Sequence, residues 1–118
     1  MLVYTKGLYA EHLALCHLKK HDLIHIASRI RCRFGEIDLI MQQQQTMVFI
    51  EVKGRKNNYF HEVFGAITQK KQQNLIRCAK TYMQQHDLSQ HFFVRFDAVA
   101  VNLDTQTCVW LPGAFDAR

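Results

Sequence analysis

The chain has 118 residues, 48% of them hydrophobic and 21% charged, with one proline and five glycines. That describes one domain with enough apolar residues for a core, and it argues against a linker-rich or disordered chain. Fifteen basic against ten acidic residues give a net charge of +5, a balance that favours polyanionic partners through counterion release.

In chain order, residues 8–21 repeat apolar side chains at helical spacing, with Leu8, Leu15 and Leu18 on one face and Ala14 alongside. Asp22 closes this helix. Residues 23–33 read as a strand with Ile24, Ile26 and Ile30 apolar among polar neighbours, and Gly35 turns the chain. A second strand covers residues 36–41 and a third residues 47–53, joined by a hairpin turn at the four glutamines 42–45. Residues 55–64 are polar and irregular. A long amphipathic helix spans residues 66–85, with Ile67, Leu75, Cys78, Tyr82 and Met83 near one stripe. Residues 92–102 form a fourth strand and residues 108–111 a short last one, which Pro112–Gly113 ends. Three strands in a meander, then a helix crossing to further strands, predict an α/β fold with a mixed central sheet flanked by helices.

The cysteines, Cys16, Cys32, Cys78 and Cys108, form no CxxC pair, so a zinc knuckle is not expected and all four are expected to pack as reduced thiols. The amino terminus lacks the apolar run of a secretory signal, and no stretch approaches the ~18 residues of a membrane span. The expectation is a cytoplasmic protein without a membrane partner.

Two charges interrupt apolar stripes. Glu11 stands three residues after Leu8 and four before Leu15; Lys71 stands four after Ile67 and four before Leu75. An unpaired buried charge costs several kcal/mol, so each residue either sits at the edge of its helix, pairs structurally, or belongs to a polar site. Asp38 likewise interrupts the apolar strand around Ile37, Leu39 and Ile40.

Glu51 and Lys53, two apart on the third strand, share a face opposite Ile50 and Val52. The hairpin can bring Asp38 beside Glu51. Carboxylates on adjacent strands offer hard oxygen ligands for Mg²⁺ or Mn²⁺, and such an ion can act on a phosphodiester. Lys53 would orient the nucleophile or stabilise developing negative charge. A surface salt-bridge ladder is the plainer alternative. Arg29, Arg31 and Arg33 alternate along the first strand, with Arg55 and Lys56 after the third; they suit phosphate contacts or a solvated strand edge. His17 and His21 have zinc-compatible spacing but no third ligand. Asp97 is expected to pair with Arg95 or Arg31, and Trp110 to pack or cover an edge.

The segments KGLYAEHLA, RCRFGEIDLIM, VFIEVKGR, ITQKKQQNLIRCAKTYM and VRFDAVAV resemble the YraN family, also called UPF0102. That family is similar to restriction-endonuclease-like proteins and, among them, archaeal Holliday junction resolvases. The resemblance covers residues 6–101. It implies a restriction-endonuclease-like αβββαβ core over one domain, residues 1–118, and metal-dependent phosphodiester hydrolysis. By the same resemblance Asp38, Glu51 and Lys53 match the superfamily's catalytic aspartate and E-x-K pair, Glu11 its helical glutamate, and Lys71 its helical basic residue. Four departures accompany it: Ala10 for a usual glycine, Arg29 for asparagine, and His61 and Gly65 for glycine and glutamate.

The resulting expectation is an endonuclease for structured or branched DNA. Asp38, Glu51 and Glu11 would hold Mg²⁺ or Mn²⁺, and Arg31, Arg33, Arg55 and Lys71 would contact nucleic acid. Symmetrical cutting of two strands would favour a homodimer. The alternative is a non-catalytic nucleic-acid-binding module of a DNA-processing complex.

Overall fold

A computed structural model describes residues 5–56, 64–65 and 67–117. Helix α1 (Lys6–Lys20) leads into strands β1 (Ile24–Cys32), β2 (Gly35–Gln43) and β3 (Thr46–Arg55). Helix α2 (Gln69–Gln85) then crosses to β4 (Phe93–Asn102) and β5 (Thr107–Phe115). The sheet order is β1-β2-β3-β4-β5, parallel between β3 and β4 and antiparallel elsewhere. This is the mixed, helix-flanked α/β sheet that the pattern predicts, in the order αβββαββ. His61, Ala66 and most of the polar stretch after Arg55 lie outside the described residues.

Local chemistry sets the helix ends. Thr5 and Thr68 cap α1 and α2, their hydroxyls accepting from Leu8 N at 3.2 Å and Lys71 N at 3.1 Å. The Thr68 cap is why α2 starts at Gln69 rather than residue 66. The tripeptide His-Asp-Leu ends both helices. Asp22 and Asp87 take left-handed φ values of 66° and 54°, and the following leucine N–H donates back to Leu18 O and Met83 O, at 3.2 and 2.9 Å.

Each sheet face carries its own core. Ala10, Ala14 and Leu18 of α1 pack with Leu39, Met41, Val48, Ile50, Val99 and Val101. Leu75, Cys78, Tyr82 and Met83 of α2 pack with Ile37, Ile40, Phe49 and Phe96 on the other face. The buried stripe of α1 therefore centres on Ala10, Ala14 and Leu18, with Leu8 and Leu15 half-buried beside it. Glu11 borders that stripe.

Three expectations are corrected. Ile24 and Ile26 are 59% and 39% exposed, because β1 is an edge strand with a register shift between His25 and Ala27. Strand β5 continues through Pro112–Gly113 to Phe115. An edge strand tolerates proline, and the buried Asp97 carboxylate accepts from Gly113 N at 2.9 Å and Trp110 Nε1 at 2.8 Å. Arg95 Nε completes the group at 2.8 Å from Asp97. Finally, Cys32 and Cys78 are joined by a disulfide, with Cα atoms 5.6 Å apart, while Cys16 and Cys108 are free. Among the described residues, no helix is long and apolar enough to cross a membrane.

Gly54 fixes how closely α1 approaches β3. A Cβ there would lie 2.8 Å from Ala10 Cβ, so Gly54→Ala is expected to cost about 1–3 kcal/mol through overpacking. Adding Ala10→Gly removes the colliding atom and should recover part of that loss. Thermal unfolding of the single and double variants checks it, and no recovery would mean that the contact is not the cause.

Candidate active site

The regular β2–β3 ladder ends at the pair Leu39–Ile50. One residue further along, the Asp38 carboxylate accepts from Val52 N at 2.8 Å. Glu51 is brought to the same place by strand alternation. It faces the α2 side of the sheet with Met47 and Phe49, while Val48, Ile50 and Val52 face α1.

Glu51 is 3% exposed and is held by two lysines. Lys71 Nζ, from the first turn of α2, lies 3.1 Å from Glu51 Oε1, and Lys53 Nζ lies 3.6 Å from the same oxygen. Glu51 Oε2 is buried with no hydrogen-bond partner among the described residues. Burial and the charge of Glu51 push the Asp38 pKa up to about 8, against the hydrogen bond from Val52 N, and the closeness of the Glu51 and Glu11 carboxyls adds to the rise. Burial and the adjacent Lys71 lower the pKa of Lys53. Burial would lower Lys71 as well, but the contact with Lys53 and the Glu51 carboxylate outweigh it and leave Lys71 raised.

These groups open onto a cleft of about 500 Å³ lined by Lys6, Glu11, Asp38, Glu51, Lys53 and Lys71, with Arg55 and Lys56 also on its wall. Glu11 is half-buried, its pKa raised by burial and by the neighbouring Glu36 and Glu51, and eased by Arg29. All four residues expected to be catalytic, together with Lys71 and Arg55, thus meet at one cleft.

Arg31 and Arg33 do not join them. Arg31 pairs with Glu36 at 3.4 Å and is 87% exposed. Arg33 lies in the β1–β2 turn with its guanidinium 5.8 Å from the Phe34 ring centre. Arg29 adopts φ 53° and acts on the Glu11 carboxyl instead. Lys56, noted in the sequence with Arg55, joins that residue on the cleft wall, whereas Lys6 was not singled out by sequence reasoning. The helical phase of Lys6 with Ala10, one turn later, was the available signal.

The oxygen-only donors Asp38 and Glu51 fit Mg²⁺ or Mn²⁺, which is bound through one or two carboxylates with water and phosphate in the other positions. The partnerless Glu51 oxygen and the raised Asp38 pKa both favour a cation there. Among the described residues, however, no three His, Cys, Asp or Glu side chains converge on one point. Glu11 flanks the pair rather than closing a three-carboxylate shell.

The model of a family described as "Uncharacterised protein family UPF0102" matches residues 10–101, a span holding Glu11, Asp38, Glu51, Lys53 and Lys71. A UPF0102 protein of Legionella pneumophila (strain Corby) is 39% identical over 116 residues, covering 98% of each chain. One from Psychromonas ingrahamii is 44% identical over 111 residues, 94% of this chain and 89% of its own. One from Nitrosomonas europaea is 40% identical over 113 residues, 95% of this chain and 94% of its own.

The proton on Asp38 links stability to pH. Its folded pKa of about 8 lies above the ordinary 3.8, so the folded state holds more protons between these values. Its contribution is complete below the lower value and is lost as pH rises through the upper one. The expected slope approaches about 1.4 kcal/mol per pH unit in mid-window. Asp38→Asn keeps an acceptor for Val52 N and should flatten this slope. Urea unfolding of both proteins from pH 5 to 8 measures it; parallel slopes would contradict the assignment.

Proposed function

The chain belongs to the uncharacterised protein family UPF0102, and we propose that it is a metal-dependent endonuclease-like domain acting on phosphodiesters of structured or branched DNA. The observation that carries this reading is the pairing of half-buried Asp38 with buried Glu51 at the floor of a cleft walled by Lys6, Lys53, Arg55 and Lys71. A carboxyl pair that the fold tolerates only with a proton on Asp38 and two lysines beside Glu51 is costly as a purely structural feature, whereas a phosphoryl-transfer site needs both signs of charge at one point.

Asp38 and Glu51 would hold Mg²⁺ or Mn²⁺, which when bound supplies Lewis-acid chemistry at a phosphoryl oxygen. Lys53 is the proton-handling group, its pKa lowered by burial and by Lys71, which eases loss of a proton at Nζ. In its charged form it stabilises negative charge building on the phosphate. Lys71 balances Glu51 and can turn its ammonium to a phosphate oxygen. Glu11, at the cleft wall, orients water or polar substrate groups. Lys6, Arg55 and Lys56 hold the sugar–phosphate backbone without reading sequence. Cutting both strands of a junction needs two such clefts, which a two-fold homodimer would supply. The reading is of a cytoplasmic protein, in which Cys32 and Cys78 spend part of their lifetime as thiols.

One observation favours a second reading. Lys53 and Lys71 already neutralise one Glu51 oxygen, so the cluster can serve as an internal ion-pair network in a non-catalytic nucleic-acid-binding module. That module would bind DNA in a salt-sensitive manner and cleave nothing.

Incubation of branched, nicked and single-stranded DNA with Mn²⁺ separates the two. The nuclease reading expects cleavage that falls on the order of 100-fold or more in Asp38→Ala and Lys53→Ala. Equal activity in all three proteins would indicate a contaminant and sink the mechanism. Salt-dependent binding without cleavage under any divalent metal would leave the module.

A further inference from the structure

A second cleft, of about 430 Å³, lies between the β1–β2 turn and the first two turns of α2. It shares Asp38 and Lys71 with the first, so a strand crossing the carboxylate pair continues directly into it. Its lining is of a different kind. Phe34 forms one wall, with the Arg77 and Arg33 guanidinium carbons 5.1 and 5.8 Å from its ring centre. Leu75 and Cys78 supply apolar surface, Thr68, Lys70 and Asn74 supply polar groups, and Glu36, paired with Arg31, adds one carboxylate.

We propose that this cleft receives one unpaired nucleotide flanking the scissile phosphate, its base stacked against the Phe34 wall. The inference rests on the nucleic-acid reading of the neighbouring site and narrows its substrate class to DNA with an unpaired strand next to the cut. Three features carry it. An aromatic ring is a surface on which bases stack, guanidinium groups lying over it extend such a stack, and the stacking accepts any base. The Thr68 hydroxyl already accepts from Lys71 N, which leaves its O–H free to donate, and the Asn74 amide offers both a donor and an acceptor to a base edge. The volume falls in the range of small-ligand pockets, and a helix and a hairpin turn bound it on opposite sides. A base stacked there has left its duplex stack. Lys70, on the rim, meets the adjoining phosphate.

The test compares a fully paired duplex, a forked duplex with one unpaired arm, and a single strand, each dye-labelled. Binding is read by fluorescence anisotropy in Ca²⁺. The wild type is expected to bind the forked and single-stranded DNA roughly 10-fold more tightly than the duplex. Phe34→Ala should lose that preference and keep its duplex affinity. Phe34 also packs against the α2-side core, so Phe34→Trp provides a second measurement that survives misfolding of the alanine variant. Its emission, above the background of Trp110, should be quenched by the forked and single-stranded DNA and not by the duplex. Equal wild-type affinity for duplex and forked DNA, or an unquenched Phe34→Trp, overturns the proposal.

The two readings fail separately. Mn²⁺-dependent cleavage with no preference for unpaired DNA removes this subsite and leaves the nuclease. A Phe34-dependent preference with no cleavage under any metal removes the nuclease and leaves the subsite.

Discussion

Asp38 and Glu51 stand side by side where β2 and β3 stop pairing, and both are withdrawn from bulk water. Asp38 is held there by backbone chemistry, accepting from Val52 N just beyond the last regular pair of the ladder. Glu51 is held by strand alternation, since turning it away would turn Phe49 and Met47 out of the core. Neither carboxyl can relax without a cost to the sheet. Proximity must therefore be balanced by protons or cations, and the raised Asp38 pKa together with the two lysines on Glu51 reflects that balance.

The rest of the fold delivers the balancing groups. Parallel pairing of β3 with β4 requires a crossover, and α2 supplies it. The Thr68 cap sets its first turn so that Lys71 reaches Glu51. On the other face, α1 lies close enough to β3 for its first turns to line the same cleft, because position 54 has no side chain and position 10 only a methyl group. Resemblance marked Ala10 as a departure from glycine. In this chain the Ala10 methyl sits against Gly54, so the pair has one Cβ where the spacing admits only one.

Legibility from sequence followed the range of the interaction. Strand alternation placed Glu51 and Lys53 on one face, and the hairpin placed Asp38 beside them; these are relationships within a few residues or across one turn. Helical phase detected Glu11 and Lys71 as misplaced charges, but the true centre of the α1 stripe, at Ala10 and Ala14, was hidden by the larger leucines. Features set by distant contacts were not readable. The extension of β5 past Pro112 depends on Asp97, fifteen residues back, accepting from Gly113 N and Trp110 Nε1. The Cys32–Cys78 disulfide spans 46 residues and follows from how α2 sits on β1, which no local pattern encodes. Period-two alternation did not show that Arg31 turns to Glu36 across the strand pair, or that Arg33 falls in the β1–β2 turn beyond the strand.

The placement of lysines on the helices carries the last step. A helix N-terminus bears partial positive charge, so lysine there opposes the dipole, by about 0.3–1 kcal/mol for an exposed site, while acids there and bases at the C-terminus stabilise. This chain does the reverse on α2: Lys70 and Lys71 occupy the first turn, no acid accompanies them, and the last turn has no base. Lys6 opens α1 in the same way, again with no acid in that turn. Glu51 offsets Lys71 directly, but among the described residues Lys70 and Lys6 have no such buried partner, and Lys70 lines one and Lys6 the other of the two clefts that meet at Asp38. Charges disposed against the helix dipole at the rims of adjoining clefts make sense if the missing counter-charge arrives with a ligand, and a sugar–phosphate chain passing over Asp38 and Glu51 would bring it to both rims at once.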